Sequence, residues 1–266
     1  MPDPLWDRIQ PILARLDPPK PRGRPRIDPR AALDAIIFRL RTGCQWNQLP
    51  KSFPDDSSVH RTFVRWTERK VFEAIWADLI EACEDLDGVD WEWQAADGSM
   101  GKGPKRGAQI GPNPTDRAKN GVKRSVLVEG HGLPLAAVIA GANVPDAQLL
   151  DATIRAIVLE RPPVEPDWEQ HLLLDKGYDN DTGYGACVDH EYVPHIALIR
   201  DEGTAKRTKP GGKPRRWVVE RVFAWLNGCR AILVRWDRRD DLYLGLIKLA
   251  SVLLWYRHFH RLSVLR

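Results

Sequence analysis

The chain has 266 residues, of which 43% are apolar and 29% charged, with 40 Lys and Arg against 36 Asp and Glu. This length and composition suit one large domain or two smaller ones, and they exclude disordered and collagen-like proteins. No run approaches the roughly 18 apolar residues of a membrane span, and Asp3, Asp7 and Arg8 stand where a signal peptide would be apolar. We therefore expect a cytoplasmic protein, whose four cysteines, without a Cys-x-x-Cys pair, are reduced and mostly buried.

The charges are segregated along the chain. Residues 20–70 carry 12 Lys and Arg against 5 Asp and Glu, residues 99–125 carry 7 against 1, and residues 200–266 carry 16 against 6. The two segments between these basic blocks are acidic. Such segregation fits an extended polyanion contacted at several places, although uneven solvation explains it about as well.

The first 90 residues are predicted to be helical. Asp28, followed by proline, is an N-cap signal, apolar residues follow at helical spacing, and Gly43 stands where a C-cap glycine would. A second helix is expected after the acidic pair at Asp56, with Val59, Phe63 and later apolar residues on one face. Residues 1–88 are therefore interpreted as one helical domain.

The outer face of the second helix carries Arg61 and Arg65. Two helices joined by a short turn, the second with a basic face, have the layout of a helix-turn-helix that enters the DNA major groove, and a helical bundle with a solvated arginine face would give the same pattern. The preceding segment contains Arg22, Arg24 and Arg26, which as a flexible arm would suit the minor groove of A·T-rich DNA. A plain linker would look similar.

From about residue 90 the pattern changes to alternating strands and helices. Strands are predicted at residues 91–97, 123–129, 133–140, 171–174 and 192–199, and helices at 147–159, 181–190 and from 215. The order β-β-β-α-β-α-β-α is that of an α/β, ribonuclease-H-like catalytic core. We assign it to residues 89–266, with a last apolar helix, Leu242 to Leu254, packed on it or at a dimer contact.

Three acids are predicted to meet in this topology. Asp97 is expected to end the first strand, Asp175 follows the fourth, and Glu220 lies on the late helix. Three converging carboxylates need cations, and hard oxygen ligands suit two Mg²⁺ or Mn²⁺ ions that catalyse phosphodiester transfer. Taken one at a time, each acid could equally be a turn or cap residue.

Several motifs of the chain resemble, in order, those of insertion-sequence transposases of the IS5 family. They are Asp97-Gly98-Ser99, residues 111–117 (GPNPTDR), 141–146 (GANVPD), 175–179 (DKGYD) and 216–221 (RWVVER), preceded by a helical segment over residues 36–50. The resemblance implies a DDE triad of Asp97, Asp175 and Glu220, two divalent metal ions, and terminal inverted repeats as substrate. It also implies a protein associated with the bacterial nucleoid, acting as a dimer or larger assembly on DNA. A noncatalytic or domesticated DNA-binding descendant of a transposase is the alternative.

A wider signature of the group, Tyr-x-x-Arg-x-x-x-Glu-x-x-x-x-x-x-Lys, is matched at Arg216 and Glu220, whereas Lys213 and Asn227 depart from it. Arg216 falls on the same helix face as Glu220, which suits a phosphate contact.

Lys119, Lys123 and Arg124 are predicted to line the DNA channel, although a solvated strand edge would also carry them. Trp66, Trp76, Trp225 and Trp255 have the apolar helical spacing of core residues.

Overall fold

The computed structural model describes residues 1–165, 167–196 and 217–264, which form two compact units. We call them the helical unit, with residues 1–87 and the chain from residue 226 onward, and the sheet unit, with residues 88–225. The chain after residue 225 thus lies with the N-terminal helices, whereas the sequence analysis assigned it to the catalytic core.

The helices and strands of the described residues are given in chain order. They are α1 (Asp3–Leu16), α2 (Pro29–Thr42), a 3-10 helix (Trp46–Gln48), α3 (Asp56–Glu68), α4 (Val71–Glu84), β1 (Trp93–Lys102), β2 (Gly111–Pro112), β3 (Asn120–Val128), β4 (Pro134–Gly141), α5 (Asp146–Arg155), β5 (Gln170–Leu174), a 3-10 helix (Lys176–Tyr178), α6 (Asp181–Asp189), β6 (Tyr192–Ile196), α7 (Trp217–Asn227), α8 (Arg230–Leu233) and α9 (Asp240–Val264). None of the helices in the described ranges is both long and apolar enough to cross a membrane.

The predicted helix boundaries of the helical unit are confirmed by their caps. The Asp28 carboxylate accepts a hydrogen bond from Ala31 N–H at 2.7 Å, and Gly43 ends α2 with φ 71°, a left-handed conformation that favours glycine. The Asp55 carboxylate accepts from Ser58 N–H at 2.9 Å and begins α3. Local capping signals therefore decide where these helices start and stop.

The core of the helical unit is built where α4 packs against α9. Trp66, Trp76 and Trp255 are buried, as predicted, but Trp225 on α7 is 37% exposed. The ring of Trp225 lies 4.7 Å from the guanidinium of Arg221, one helical turn away, so a cation–π contact covers it instead of the core. Since α9 packs on α4, the Leu242 to Leu254 segment, for which a dimer contact was one of the two expectations, is core of this unit.

The sheet unit has one mixed sheet in the order β2-β3-β1-β5-β6, with β4 also paired to β3. β1 is antiparallel to β3 and β3 to β4, whereas β1, β5 and β6 run parallel. This order and these directions are those of a ribonuclease-H-like sheet, which confirms the predicted fold class.

Asp97 does not end β1, contrary to the prediction. The strand continues to Lys102 because β3 pairs with it from Ala95 to Lys102. On its other side, the pairing with β5 ends at Ala95. Asp97 thus lies where β1 has lost one neighbour and kept the other, so its edge toward β5 is open at this point.

A buried amide pair joins the centre of the sheet. Gln94 on β1 donates to the Gln170 side-chain oxygen on β5 at 3.0 Å and accepts from the Tyr192 hydroxyl on β6 at 2.6 Å. All three side chains lie in the interior, where polar groups need partners. This network connects the three parallel strands below the point where Asp97 lies.

The four cysteines are free, as predicted, and Cys83 and Cys187 are buried. Burial raises the pKa of the Cys187 thiol to about 11, which keeps it protonated and unreactive at neutral pH.

Candidate active site and DNA-binding residues

Asp97 on β1 and Asp175, directly after β5, are aligned by the register of two neighbouring parallel strands. The register pairs Trp93 with His171 and Ala95 with Leu173, and continued by two residues it sets Asp97 level with Asp175. Adjacent strands are about 4.8 Å apart. Both aspartates are partly exposed, so the pair can meet a ligand from solvent.

Main-chain amides hold the two carboxylates. Asp97 Oδ1 accepts a hydrogen bond from Gly98 N–H at 2.7 Å. Asp175 Oδ1 accepts from Gly177 N–H at 2.8 Å and so caps the 3-10 helix that follows β5. Each acid is thus fixed by the glycine that follows it in its motif.

Tyr178 is a buried phenol beside these acids. Its side chain is inaccessible to solvent, and its hydroxyl has no hydrogen-bond partner. Burial raises the pKa of Tyr178 well above its usual range, and the negative charges of Asp146, Asp97 and Asp175 raise it further. Three carboxylates therefore lie within electrostatic range of one protonated, unpaired hydroxyl.

Asp146, at the start of α5, is the acid that sequence reasoning missed. A Cβ placed on Gly98 would lie 1.8 Å from Asp146 Oδ1, so the carboxylate rests directly on the main chain next to Asp97. Asp146 Oδ2 accepts from Lys123 Nζ at 2.9 Å, and Oδ1 is buried without a hydrogen-bond partner. The signal in the sequence was Gly98, because a glycine inside a strand marks a close approach of another group.

Of the three cations predicted to line a DNA channel, Lys119 alone is exposed, at 69% of its side chain. Lys123 is buried in its ion pair with Asp146, and Arg124 is buried and donates to Ser99 Oγ at 3.0 Å. The predicted DNA contact does not fit Lys123 or Arg124, because their alternation on β3 directs both into packed faces of the sheet.

Glu220 lies on α7 and is exposed. Its neighbours Val218 and Arg221 lie against Gly132 in the turn between β3 and β4, where a Cβ on that glycine would approach Val218 O to 2.9 Å. Arg221 also donates a hydrogen bond to the carbonyl of His131 in the same turn. The start of α7 is therefore anchored at the β3–β4 turn.

That turn lies just before the start of β1. Gly130 N–H donates to the carbonyl of Asp90, which precedes the first residue of β1, whereas Asp97 is well inside the strand. The start of α7 is thus held near the beginning of β1, and the meeting of Glu220 with Asp97 and Asp175 stays a prediction. Within the described ranges, no three His, Cys, Asp or Glu side chains are arranged to hold a metal ion. Arg216 and Lys213 lie outside the described residues.

In the helical unit, the predicted DNA-binding arginines divide into two groups. Arg22 and Arg24 are exposed, and Arg61 exposes 69% of its side chain near the start of α3. The charges of Arg61 and Arg24 both contribute to lowering the pKa of Asp55, after its hydrogen bonds with Ser58, so the arm and the α3 N-terminus lie close together.

The other two arginines are tied down. Arg26 and Arg65 both bind the carboxylate of Asp17, just after α1, which also accepts from Arg69 Nη1 and Trp66 Nε1, each at 2.8 Å. These bonds fasten the end of α1 to α3. To contact DNA as predicted, Arg26 and Arg65 would have to give up these hydrogen bonds to Asp17.

Comparison with known protein families places the chain. A family model described as "Transposase DDE domain" matches residues 85–255, and one described as "Putative transposase of IS4/5 family" matches residues 1–76. The chain belongs to the DDE transposases of the IS4/IS5 type. This transposase is 36% identical, over 162 residues, to the "Putative transposase for insertion sequence element IS402" of Burkholderia cepacia, a match covering 58% of this chain and 71% of that protein.

Two further comparisons extend the list of similar proteins. The transposase is 30% identical over 100 residues to "Uncharacterized protein y4sN" of Sinorhizobium fredii, covering 37% of this chain and 72% of that protein. Among solved structures, it is similar to the catalytic domain of Mos1 mariner transposase at a TM-score of 0.30 and 10% identity, over 74% of this chain and 94% of that one. The family membership makes the protein an enzyme of the transposase type, whose partner is DNA.

Proposed function

We propose that this transposase binds the terminal inverted repeats of an insertion sequence, cleaves at the element ends and joins the 3′-hydroxyls to target DNA. The observation that carries the proposal is the parallel register of β1 and β5, which, extended two residues beyond its last pair, sets Asp97 level with Asp175. An unpaired buried hydroxyl, that of Tyr178, lies within range of both charges. Paired carboxylates suit a positively charged ligand such as a metal ion, and the unsatisfied hydroxyl suits an oxygen atom that comes with it.

The donor chemistry fits a divalent metal. Carboxylate oxygens are the ligands of Mg²⁺ and Mn²⁺, and the unpaired Asp146 Oδ1 adds a further negative oxygen close by. Asp97 and Asp175 would hold two such ions, with Glu220 as the third acid. Bound there, the ions would activate the attacking oxygen and stabilise the leaving oxygen of the phosphodiester.

The residues of the chain have separate tasks in this scheme. The amides of Gly98 and Gly177 orient the two aspartates, so their geometry is set before DNA arrives. Tyr178 stays protonated, because burial and the surrounding carboxylates disfavour its phenolate, and it can donate a hydrogen bond to an incoming oxygen. Arg216 would neutralise a phosphate of the DNA.

Sequence recognition is assigned to the helical unit. Arg61 at the start of α3 would reach base edges or phosphates in the major groove, and Arg22 and Arg24 would enter the adjacent minor groove. Support comes from their exposure and from the closeness of Arg24 and Arg61 to the same cap residue, Asp55. Lys119 would add a phosphate contact beside the sheet.

Two protomers are required on paired ends, since one set of catalytic acids acts on one strand end at a time. A symmetric pair is the simplest arrangement that fixes two sites relative to each other.

The test is a set of isosteric substitutions assayed with Mg²⁺ on labelled DNA ends. Asp97→Asn, Asp175→Asn and Glu220→Gln should each abolish cleavage and joining and leave end binding in a gel shift nearly intact, because an amide keeps the shape and loses the charge. Asp151→Asn, on the same sheet unit but bound to Arg155 and His190, is the matched control and should cleave normally. Cleavage at the wild-type rate by any one acid variant would remove that residue from the triad.

The placement of Glu220 favours one alternative, a noncatalytic DNA-binding protein derived from a transposase. The start of α7, which carries Glu220, is anchored at the β3–β4 turn through Val218 and Arg221, and among the residues that the structure describes no three His, Cys, Asp or Glu side chains are arranged to hold a metal ion. Wild-type protein that binds the ends but cleaves neither strand with Mg²⁺ or Mn²⁺ would establish that alternative.

A further inference from the structure

Asp146 is not one of the three triad acids, yet its side chain contacts the main chain beside Asp97. Its side chain covers Gly98, and a methyl group in place of the missing side chain would collide with Asp146 Oδ1. Gly98 is also the residue whose N–H holds Asp97. Asp146 therefore contacts the segment of main chain that orients the first aspartate of the pair.

Charge is distributed unequally around this contact. Asp146 is neutralised on one side by Lys123, whose side chain is only 7% exposed, while its other oxygen faces the interior without a partner. Together with Asp97 and Asp175, the four groups carry a formal net charge of about −2 at neutral pH. Removing Lys123 or Asp146 changes this charge in opposite directions.

A second observation is an unsatisfied polar group beside these acids. Tyr178 is completely buried, its hydroxyl has no hydrogen-bond partner, and it lies within electrostatic range of Asp146, Asp97 and Asp175. A buried hydroxyl without a partner costs free energy unless an oxygen or water completes it. A ligand oxygen or a water near the three acids would supply that partner.

We propose that Asp146 is a positioning residue of the active site, which holds the Asp97–Gly98 main chain and, balanced by Lys123, sets how strongly the site holds divalent cations. This inference rests on the proposed function, because it takes Asp97 and Asp175 as the cation ligands. Its distinguishing consequence is a pair of effects with opposite signs. A residue needed only for folding would give effects of the same sign.

The experiment is a titration of the full chain with Mn²⁺, in which free Mn²⁺ is measured by electron paramagnetic resonance. We expect Asp146→Asn to raise the dissociation constant for Mn²⁺ about tenfold, Lys123→Met to lower it several-fold, and the double variant to return toward wild type. Asp151→Asn, which removes the same charge from the exposed part of α5, is the matched control and should stay within about twofold. Thermal unfolding of each variant by circular dichroism verifies that it is folded at the temperature of the titration.

Three outcomes decide the matter. Opposite shifts for Asp146→Asn and Lys123→Met support the inference. If Asp97→Asn weakens Mn²⁺ binding while both other variants remain at the wild-type value or shift in the same direction, the role of Asp146 is refuted and the proposed metal site stands. If Asp97→Asn has no effect on Mn²⁺ binding, the metal site itself is overturned, and the inference with it.

Discussion

The Nε of Arg65 lies 2.9 and 3.1 Å from the two carboxylate oxygens of Asp17, although Arg65 shares the outer face of α3 with Arg61. The first half of α3 therefore presents an exposed arginine, Arg61, whose contacts are with Asp55 and Ser58 at the start of the same helix, and the second half is bound to the end of α1. The DNA-contacting surface that we propose on this helix would accordingly be centred on its N-terminal turns.

We expect Arg61→Ala and Arg65→Ala to separate binding from stability. Arg61→Ala should weaken end binding and lower the dependence on salt by about one counterion, with unfolding free energy changed by less than about 0.5 kcal/mol. Arg65→Ala should lower the unfolding free energy by about 1–2 kcal/mol, because it leaves Asp17 short of a partner. End binding across salt concentrations and urea unfolding measure the two effects, and equal loss of stability in both variants would contradict the division.

Asp17→Asn should lose stability in a pH-dependent way. Burial alone would raise the pKa of Asp17, but hydrogen bonds from Arg65 and Trp66 and the nearby arginine charges hold it below its usual value. A carboxylate whose pKa is lowered in the folded state stabilises the protein at pH values above the ordinary aspartate pKa of about 3.9. This contribution is lost as the pH falls through the pKa of the folded state.

We therefore expect Asp17→Asn to be less stable than wild type by about 2 kcal/mol at pH 7, and the difference to shrink below about pH 4. Urea unfolding at both pH values checks this. A difference that is the same at pH 7 and pH 3.5 would show that the carboxylate charge is not what stabilises the cluster.

Gly98→Ala should destabilise the sheet unit by about 1–3 kcal/mol, because its methyl group would overlap the Asp146 carboxylate. Combining it with Asp146→Ala removes the obstacle. The double variant should then be more stable than the sum of the single effects predicts, by about 1 kcal/mol. Urea unfolding of the four proteins gives the coupling, and additive effects would mean that Asp146 moves aside without cost.

Tyr192→Phe should cost about 1–2 kcal/mol of unfolding free energy, since it leaves the buried Gln94 oxygen without its hydrogen bond at 2.6 Å. The ring can keep its contact with Arg161, 4.1 Å away, so packing changes little. Tyr184→Phe, on the exposed side of α6, is the control and should be neutral. End binding is expected to be unaffected by either change, and weaker binding by Tyr192→Phe would contradict the separation of the two units' roles.

The assembly on DNA should contain at least two protomers. Joining both ends at fixed positions in the target requires two sets of acids at once. The mass of the complex formed with paired terminal repeats, measured by light scattering, is the check. A complex with one protomer that nevertheless joins both ends in a concerted reaction would refute the proposal.

Most of the fold could be predicted because its signals are local. Asp28, Gly43 and Asp55 determine helix ends through bonds to residues three or four positions away. The end of β1 could not be predicted in the same way, since Asp97-Gly98-Ser99 has the composition of a turn and only pairing with β3 keeps it extended. The unit on which α9 packs could not be predicted either, because the sequence of an apolar helix does not show which surface the helix will cover.

The part of the candidate site that depends on strand order could be predicted from the sequence. Parallel neighbours bring their ends together, so Asp97 and Asp175 could be paired from topology alone. Asp146 was not included with them, because an acid at a helix start looks like a favourable charge at a helix N-terminus, and Gly98 signals a close approach without showing which residue makes it. The burial of Lys123 and Arg124 could not be predicted, because a basic residue on a strand is normally exposed unless it has a specific partner. The partners here, Asp146 and Ser99, are known only from the structure.

The helical unit is formed by residues that come before and after the sheet unit in the sequence. Its parts are therefore synthesised at different times. While the chain emerges from the ribosome, α1 to α4 are made first but lack the surface supplied by α9, on which α4 packs. The sheet strands and α5 appear next and can pair among themselves. A nascent chain stopped near residue 225 would thus carry an apolar face on α4 without its cover, so the helical unit, to which we assign DNA recognition, can be completed only after α9 has been translated.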